Sequence, residues 1–533
     1  MLAKLSPRPT ARRCAIASAA GLALLGAGLP AASPDGSEPD LSRFYRQKVT
    51  WRKCEGMEMP KDLQCGKVTV PLDYAKPRGP TLDLALARYR ATVKSRGSVV
   101  LNFGGPGGAG VGELAGGAED FMGLTDGYDV VSFDPRGVGR SSPVSCGDDA
   151  EQSVLVTAQD SEITADPRAV LDRIREAAAT CAKHSGPVLP HIGTVNASRD
   201  LDVMRQALGD KKLNYLGFSY GTRLGAVYAA QFPKKVGRFV LDGVDTLTEP
   251  LSEQGVAGAA GQQRALEDFL DWCVKDIACP FGTDARSARE EVVRLVESLD
   301  EDPVPTDFGG EFTGQDLVGA IGQALYSEDL WPTLERALAS LVEDGDTRAL
   351  LGLSGGRSGW RGSGLRAGAG AGANGGLVDP EEVPLDNLPA ALMAINCADD
   401  PDRPGADRIS RDLGRLRAAY EEASPVFGRY RLIEYLMCYG RPKGTDFIRE
   451  KVRDVRAPKM LLVGTRGDPA TPYRWTVQTA RRLGDSAVVL DNRDEGHTGY
   501  ASSTCVHGKV DAFLLYGSLP PDGSSCGPES DRD

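Results

Sequence analysis

The sequence predicts an α/β fold in which a mostly parallel sheet carries helices on its faces and a helical cap is inserted between its strands. The continuous apolar runs at 98–103 and 128–133 suit strands that are buried on both faces. Helical spacing over 196–208 continues an alternation of strands and helices, which is the order of an α/β protein. From about Gly243 the strand patterns stop, and they return only at 459–464, so the helical part is predicted to be an insertion in one catalytic domain.

The remaining elements follow the same order along the chain. Further strands are predicted at 67–70, 81–90, 238–242 and 487–490, and further helices at 262–274, 288–299, 313–326, 330–342, 406–422 and 506–516. These patterns divide the chain into a first core part at 33–245, a helical cap at 246–440 and a second core part at 441–533. Within the cap, the glycine-rich segment 352–376 is predicted to be an exposed flexible loop.

Composition and charge narrow the class of protein. Hydrophobic residues make up 41% of the 533 residues, which is ordinary for a globular chain with a substantial core. The net charge is −12, and because residues 1–32 hold four basic residues and no acid, the remaining chain carries −16. Such a balance argues against nucleic acid as a partner.

The first 32 residues have the pattern of a signal peptide. A basic segment ends at Arg12 and Arg13, an apolar run follows at 15–29, and small residues stand at 31–33. The apolar run is short for a membrane span, and no other stretch of the sequence approaches the required length. We therefore predict a secreted protein without stable membrane insertion after signal removal, and an uncleaved anchor is the alternative.

The cysteines indicate disulfides rather than a metal site. Removal of Cys14 with the signal leaves an even number, as expected of an exported chain. Pairing each cysteine with its neighbour in sequence would give five local loops, although spacing alone leaves the connectivity open. No C-x-x-C occurs and the four histidines form no ligand cluster with the cysteines, so no zinc, other metal or cofactor is predicted. The remaining cysteines are Cys54, Cys65, Cys146, Cys181, Cys273, Cys279, Cys397, Cys438, Cys505 and Cys526.

The stretch 214–232 predicts a nucleophile elbow, a sharp turn from a strand into a helix that presents a serine. Its apolar start suits a buried strand, and the following residues suit a helix. Gly217 and Gly221 flank Ser219, and glycine is needed at these positions because the tight turn brings neighbouring backbone close. The serine oxygen would then stand clear of the sheet, beside the N–H groups that open the helix.

A serine hydroxyl needs a base, and the base needs a carboxylate to orient it. His497 follows the predicted strand 487–490 in a polar loop, whereas the other histidines lie before the serine or within a predicted helix. Asp468 follows the strand 459–464 and is the preferred acid, with Asp242 after an earlier strand as its rival. The sequence thus predicts a triad of Ser219, His497 and Asp468.

A glycine-rich loop at 102–110 directly follows a predicted strand. Its glycines would let the backbone approach a substrate carbonyl, so that an N–H at Gly105 and the N–H of Tyr220 form an oxyanion hole. Phosphate binding is the other use of such a loop. Neither G-x-G-x-x-G nor a Walker lysine is present, which argues against nucleotide binding.

Five motifs, in order along the chain, resemble the proline iminopeptidase and tripeptidyl aminopeptidase group of α/β-hydrolases, and most closely its secreted tripeptidyl aminopeptidases. They are GGPGG at 104–108, DPRGVGRS at 134–141, GFSYGT at 217–222, GTRGDPATP at 464–472 and GHTGY at 496–500. The resemblance implies an α/β-hydrolase fold and a serine exopeptidase that releases short peptides, with tripeptides as the expected product, from free amino termini. One departure is that Asn102 and Phe103 precede the glycines where a histidine is usual, which puts the packing behind the oxyanion donors in question.

An aminopeptidase also needs a carboxylate for the substrate ammonium. Asp399, Asp400 and Glu434 lie near the end of the predicted cap, close to Cys397 and Cys438, and are the candidates. Two alternatives stay open at this point. A secreted carboxylesterase would use the same triad but no carboxylate for a substrate ammonium. A binding protein with an inactive hydrolase fold would use neither the triad nor that carboxylate.

Overall fold

The computed structural model describes residues 39–54, 59–147, 166–307, 309–354 and 376–527. The predicted signal segment lies outside these ranges, as does most of the glycine-rich segment 352–376. None of the described helices is long and apolar enough to cross a membrane.

The core is a ten-stranded sheet with the order β1-β2-β3-β5-β4-β6-β7-β10-β11-β12. From β5 to β12 every neighbouring pair is parallel, and only the pairs among β1, β2, β3 and β5 at the other edge are antiparallel. The prediction of a mostly parallel sheet is therefore confirmed. The strands are β1 Arg52–Lys53, β2 Gln64–Pro71, β3 Thr81–Tyr89, β4 Ser98–Asn102, β5 Asp129–Phe133, β6 Leu213–Phe218, β7 Val236–Asp242, β8 Val304–Pro305, β9 Glu311–Phe312, β10 Met460–Gly467, β11 Ala487–Glu495 and β12 Ser524–Cys526.

Sixteen α-helices surround this sheet or build the cap within the described ranges. They are α1 Ser42–Tyr45, α2 Gly110–Gly116, α3 Pro167–Ser185, α4 Thr194–Leu208, α5 Tyr220–Gln231, α6 Leu251–Cys273, α7 Ala285–Glu301, α8 Gly314–Ala324, α9 Trp331–Asp344, α10 Arg348–Leu353, α11 Asn387–Asp399, α12 Ala406–Ala423, α13 Gly428–Leu436, α14 Phe447–Lys451, α15 Tyr473–Leu483 and α16 Thr504–Tyr516. Short 3₁₀ helices occupy Ala118–Asp126, Gly186–His191, Pro233–Lys235, Glu328–Leu330, Pro380–Glu382 and Gly484–Ser486.

The central strands are buried on both faces, as their continuous apolar runs predict. All five residues of β4 are buried. Val100 packs into one apolar cluster with residues of α4 and α5, while Val99 and Leu101 pack into another with residues of α16. Because side chains alternate along a strand, one short apolar run supplies both faces of the sheet.

The chain between β7 and β10 contains most of the helices and has an apolar cluster of its own, built from α6 to α10 together with Val426 and Phe427. The expectation that strands stop at Gly243 was wrong in one detail, because the two-residue strands β8 and β9 pair there as a separate ribbon. Helix α6 also begins at Leu251, well before the predicted 262. Its first half is rich in glycine and alanine and has no apolar stripe to reveal it.

Five disulfides join the ten described cysteines. Each cysteine is bonded to its neighbour in sequence, which is the pairing that sequence spacing left open. Disulfides of this number suit an oxidising, extracellular compartment. The pairs are Cys54–Cys65, Cys146–Cys181, Cys273–Cys279, Cys397–Cys438 and Cys505–Cys526.

Candidate active site

Ser219 occupies the turn between β6 and α5. Its φ of 54° and ψ of −124° are costly for a residue with a side chain. The turn is held by the N–H of Ser219, which donates to the carbonyl of Asp242 at 2.9 Å, and by the Oγ1 of Thr222, which donates to the carbonyl of Ser219 at 2.6 Å. The strained backbone is thus stabilised by the strand end beside it and by the first turn of the helix.

The two flanking glycines are required by close backbone contacts. A Cβ on Gly217 would lie 2.6 Å from the carbonyl oxygen of Gly221, and a Cβ on Gly221 would lie 2.7 Å from the carbonyl oxygen of Asn102. Both distances are shorter than any side-chain carbon tolerates. The elbow and the glycine-rich loop therefore pack directly on each other.

The glycine-rich loop reaches the same turn from the end of β4. Gly104 and Gly105 have φ of 88° and 101°, and a Cβ on Gly104 would lie 3.3 Å from the backbone nitrogen of Tyr220. Tyr220 is the first residue of α5, so its N–H has no carbonyl to bond within the helix. This loop and this helix end therefore both lie directly beside Ser219.

The residues that replace the usual histidine have well-defined contacts. The Oδ1 of Asn102 accepts a hydrogen bond from the N–H of Gly104 at 3.2 Å. The ring of Phe103 stacks on that of Phe218 and meets that of Phe121 edge-on, with centroids 6.0 Å and 5.6 Å apart. An amide and an aromatic cluster thus support the loop from behind.

Asp468 contacts the imidazole of His497 at the ends of β10 and β11. Both carboxylate oxygens lie 2.9 Å from Nδ1 of His497. The same carboxylate accepts hydrogen bonds from the N–H groups of Ala470, Thr471 and Thr498 and from the hydroxyl of Thr471. These donors hold the side chain in place and stabilise its charged form.

The rival carboxylate, Asp242, supports the histidine loop instead of the imidazole. It accepts hydrogen bonds from the N–H groups of Gly499 and Tyr500 at 2.8–3.1 Å. Burial raises the pKa of Asp242 to about 6, although these two N–H groups act in the opposite direction. Asp242 therefore positions the segment that carries His497.

The pKa of His497 is raised by its acidic neighbours. Burial of the ring alone would lower it, but the charge and hydrogen bond of Asp468, together with the charges of Asp242 and Asp245, outweigh that effect. A carboxylate on Nδ1 leaves Nε2 as the nitrogen available to a substrate or nucleophile.

Ser219 and His497 both lie beside the end of β7. The backbone N–H of Ser219 donates to the carbonyl of Asp242, the last residue of β7, and a Cβ on Gly243 would lie 3.4 Å from Cε1 of His497. Among the described residues, Ser219 and His497 share no direct hydrogen bond. Such catalytic hydrogen bonds often form only when substrate is bound.

Tyr326, at the turn after α8, brings the cap to the histidine. Its carbonyl accepts the backbone N–H of His497 at 2.9 Å, and its ring meets the imidazole edge-on with centroids 4.9 Å apart. A Cβ on Gly496 would lie 2.8 Å from the same carbonyl oxygen. The sequence predicted a helix ending near Tyr326 but carried no signal that this residue reaches His497.

A cavity of about 540 Å³ lies between the cap and these loops. Its floor includes Ser219 and Gly105, and the faces of several cap helices form its walls. Arg223, one turn after Ser219, lines the cavity and forms ion pairs with Asp245 at 2.8 Å and with Asp399 at 3.4 Å. Arg223 follows Ser219 by four residues, about one helical turn, and this spacing was the one local signal in the sequence that could have predicted its position beside the serine.

Two of the three predicted ammonium-binding carboxylates have partners of their own. Asp399 accepts hydrogen bonds from the N–H and hydroxyl of Thr194 in addition to its ion pair with Arg223. Asp400 accepts the N–H of Leu251 and pairs with Arg449 at 2.8 Å. The backbone of Glu434 lies in α13, and its side chain is outside the described part of the structure. The ammonium-binding role stays a prediction for all three.

Comparison with known proteins identifies the family. A family model for the alpha/beta hydrolase fold matches residues 98–302, and a model described as TAP-like protein matches residues 424–526. Serine protease Hip1 of Mycobacterium tuberculosis is 33% identical over 92% of both chains. The chain belongs to the TAP-like α/β-hydrolases.

Other members of this α/β-hydrolase family bear different names. Tripeptidyl aminopeptidase of Streptomyces lividans is 32% identical and aligns with 92% of this chain and 88% of its own length. Carboxylesterase B of Mycobacterium tuberculosis is 31% identical and aligns with 95% of this chain and 96% of its own. The resemblance to the aminopeptidase group is confirmed, and the chain is a hydrolase of the serine peptidase class.

Proposed function

We propose that this protein is an exported serine exopeptidase that releases short peptides, chiefly tripeptides, from the free amino termini of peptide substrates. The contact between Asp468 and Nδ1 of His497, at the carboxyl ends of strands in the sheet whose strand β6 ends at Ser219, is the observation that carries the proposal. Five disulfides and the predicted signal peptide support export. The relatives named serine protease and tripeptidyl aminopeptidase support peptide substrates.

In this mechanism Ser219 Oγ attacks the scissile carbonyl and His497 Nε2 takes its proton. Asp468 holds the imidazole and stabilises its charged form. The N–H groups of Gly105 and Tyr220 donate to the oxyanion of the tetrahedral intermediate. His497 then gives the proton to the departing amine, and water hydrolyses the acyl-enzyme by the same steps in reverse order.

An enclosed part of the cavity wall supports recognition of a free amino terminus. Arg223, Asp245 and Ile433 line the cavity and are 5%, 7% and 5% exposed, so protein surrounds this part of the wall. Asp245 is the carboxylate among the described residues of the cavity wall, and Glu434 follows Ile433 directly in α13. We infer that Asp245 receives the substrate ammonium, since a buried ammonium requires a carboxylate partner, and Glu434 stays a candidate from its place in the sequence.

The test compares three fluorogenic substrates: free-amino Ala-Ala-Pro, its amino-blocked form and a single free Pro or Ala. We expect the free tripeptide to be cleaved at least about 100-fold more efficiently than the blocked one, because blocking removes a charge-assisted hydrogen bond in a buried site. Ser219→Ala should abolish turnover, and Glu434→Gln and Asp245→Asn should each be compared for loss of that preference. Equal cleavage of free and blocked substrates would contradict the exopeptidase proposal.

A carboxylesterase is the second candidate, and the relative named carboxylesterase B favours it. The triad and oxyanion donors would be the same, so labelling by a fluorophosphonate does not separate the two functions. Rapid turnover of small neutral esters, with no cleavage of any free-amino peptide, would establish the esterase instead.

A further inference from the structure

The walls of the catalytic cavity differ in how far they are exposed. Arg223 and Tyr420 line it and are 5% and 0% exposed, so protein encloses this part of the wall. On α8, Val318 and Gly322 are buried, whereas Gln315, Gly319 and Gln323 are exposed, and Tyr326 after this helix is 37% exposed. A peptide with its amino terminus against the enclosed wall would therefore leave past the exposed residues of α8.

Proton transfer in the proposed mechanism indicates the same direction for the bound peptide. The departing amine has to receive its proton from His497, so the residues after the scissile bond lie on the histidine side of Ser219. Tyr326 is the cavity-lining residue that packs on the His497 ring. The departing segment therefore meets Tyr326 first.

From Tyr326 the cavity wall continues along one face of α8. Gln315, Gly319, Gly322 and Gln323 all line the cavity, and Gln315, Gly319 and Gln323 follow one another at spacings of four residues, about one turn. A Cβ on Gly319 would have no atom within 4 Å, so the space over this residue is open. The side-chain amides of the glutamines can hydrogen-bond a peptide main chain without selecting particular side chains, and the glycine leaves room for that chain.

We propose that this face of α8, defined by Gln315, Gly319, Gln323 and Tyr326, is an exit groove that binds the departing segment of a polypeptide substrate. The inference rests on the proposed exopeptidase function and adds to it the class of substrate. From Tyr326 to Gln315 the groove spans roughly 16 Å at 1.5 Å per residue, which matches about five residues of extended chain. The enzyme should therefore prefer oligopeptides or unfolded polypeptides with several residues beyond the cut over tetrapeptides.

The test measures kcat/KM for free-amino Ala-Ala-Pro followed by one, three, five or eight alanines, and for Ala-Ala-Pro-arylamide. In the wild type we expect kcat/KM to rise about tenfold between one and five departing residues and then to level off. In Gly319→Leu the leucine would fill the groove, so the ratio of kcat/KM for the five-residue substrate to that for the arylamide should fall about tenfold.

Gly414→Leu is the matched control, because Gly414 is also an exposed glycine inside a helix, has no atom within 4 Å of an added Cβ and does not line the cavity. It should retain the wild-type ratio. The exit groove is wrong if the wild type shows no dependence on the departing segment, or if Gly319→Leu loses the arylamide and the long substrate equally. If the wild type does not cleave Ala-Ala-Pro-arylamide at all, the proposed function itself has failed.

Discussion

The strand-end loops of the core and the helical wall of the cap form one cavity in opposite ways. In the core loops, glycines are forced by backbone packing, as at Gly104, where a Cβ would lie 2.5 Å from the carbonyl of Phe218. On the cap wall, Gly319 faces open space. Asp468 has four hydrogen-bond donors besides His497, whereas the amides of Gln315 and Gln323 present themselves to the cavity.

This difference indicates that the core loops and the cap wall have separate functions. Positions that hold reacting atoms within tenths of an ångström need rigid, over-determined surroundings. A wall that accepts varied peptides needs room and adaptable hydrogen-bonding groups instead. Changes in the core loops should therefore cost turnover with every substrate, and changes in the cap should alter which substrates are turned over.

The largest effect is expected for Asp468→Asn. The amide preserves the shape but cannot stabilise a charged imidazole, so kcat should fall by about 10⁴-fold with little change in KM. Steady-state kinetics with the tripeptidyl arylamide and with a small ester would measure the loss. We expect kcat to fall equally for both substrates. A loss of kcat with the peptide substrate alone would contradict a role of Asp468 in the chemistry that both reactions share.

Gly104→Ala should have the next largest effect. Its φ of 88° and the 2.5 Å contact force the loop away from Tyr220, so we expect at least about a 100-fold loss of kcat, comparable to removal of an oxyanion donor. Gly112→Ala is the control, because Gly112 lies in the helix after the same loop and has no atom within 4 Å. Wild-type turnover in Gly104→Ala would show that the loop does not contribute to the oxyanion hole.

The difference between the core loops and the cap wall also explains which parts of the site could be predicted from the sequence. The elbow, the glycine-rich loop and the segments around Asp468 and His497 are short motifs whose geometry is local, and strand order brings them together. Contacts between residues that are far apart in sequence could not be predicted in this way. Nothing near Tyr326 in sequence indicates that it packs on His497, and Asp399 was chosen for its position near a cysteine, while its ion pair with Arg223 depends on the tertiary fold.

Leu338→Ala tests whether the cap can be weakened separately from the core. Leu338 is 1% exposed in the apolar cluster of the cap, and its truncation should cost about 2–5 kcal/mol of local stability. On heating, tripeptidyl turnover should be lost before labelling of Ser219 by a fluorophosphonate. Leu224→Ala, a buried change beneath the elbow, should lose both together. Simultaneous loss in both variants would mean that cap and core unfold as one unit.

The smallest expected effect is a shift in the pH dependence of kcat/KM in Asp242→Asn. The charge of Asp242 contributes to the raised pKa of His497, so its removal should lower that pKa. In the proposed mechanism His497 acts as a base only when neutral, so the acid limb of the kcat/KM profile should move to lower pH, by less than about one unit for a single partly screened charge. Asp485→Asn, which removes an exposed charge, should leave the limb in place.

The pH dependence of unfolding of the same variant gives a second, independent test of the charge on Asp242. The pKa of Asp242 in the fold is about 6, above its ordinary 3.8, so ionisation of this carboxyl opposes folding. Its contribution to stability is fully present below about pH 4 and is lost as pH rises through about 6. The wild type should therefore lose stability across that window relative to Asp242→Asn. An acid limb that moves upward, or an identical pH dependence of unfolding in the two proteins, would show that Asp242 acts only through its hydrogen bonds to Gly499 and Tyr500.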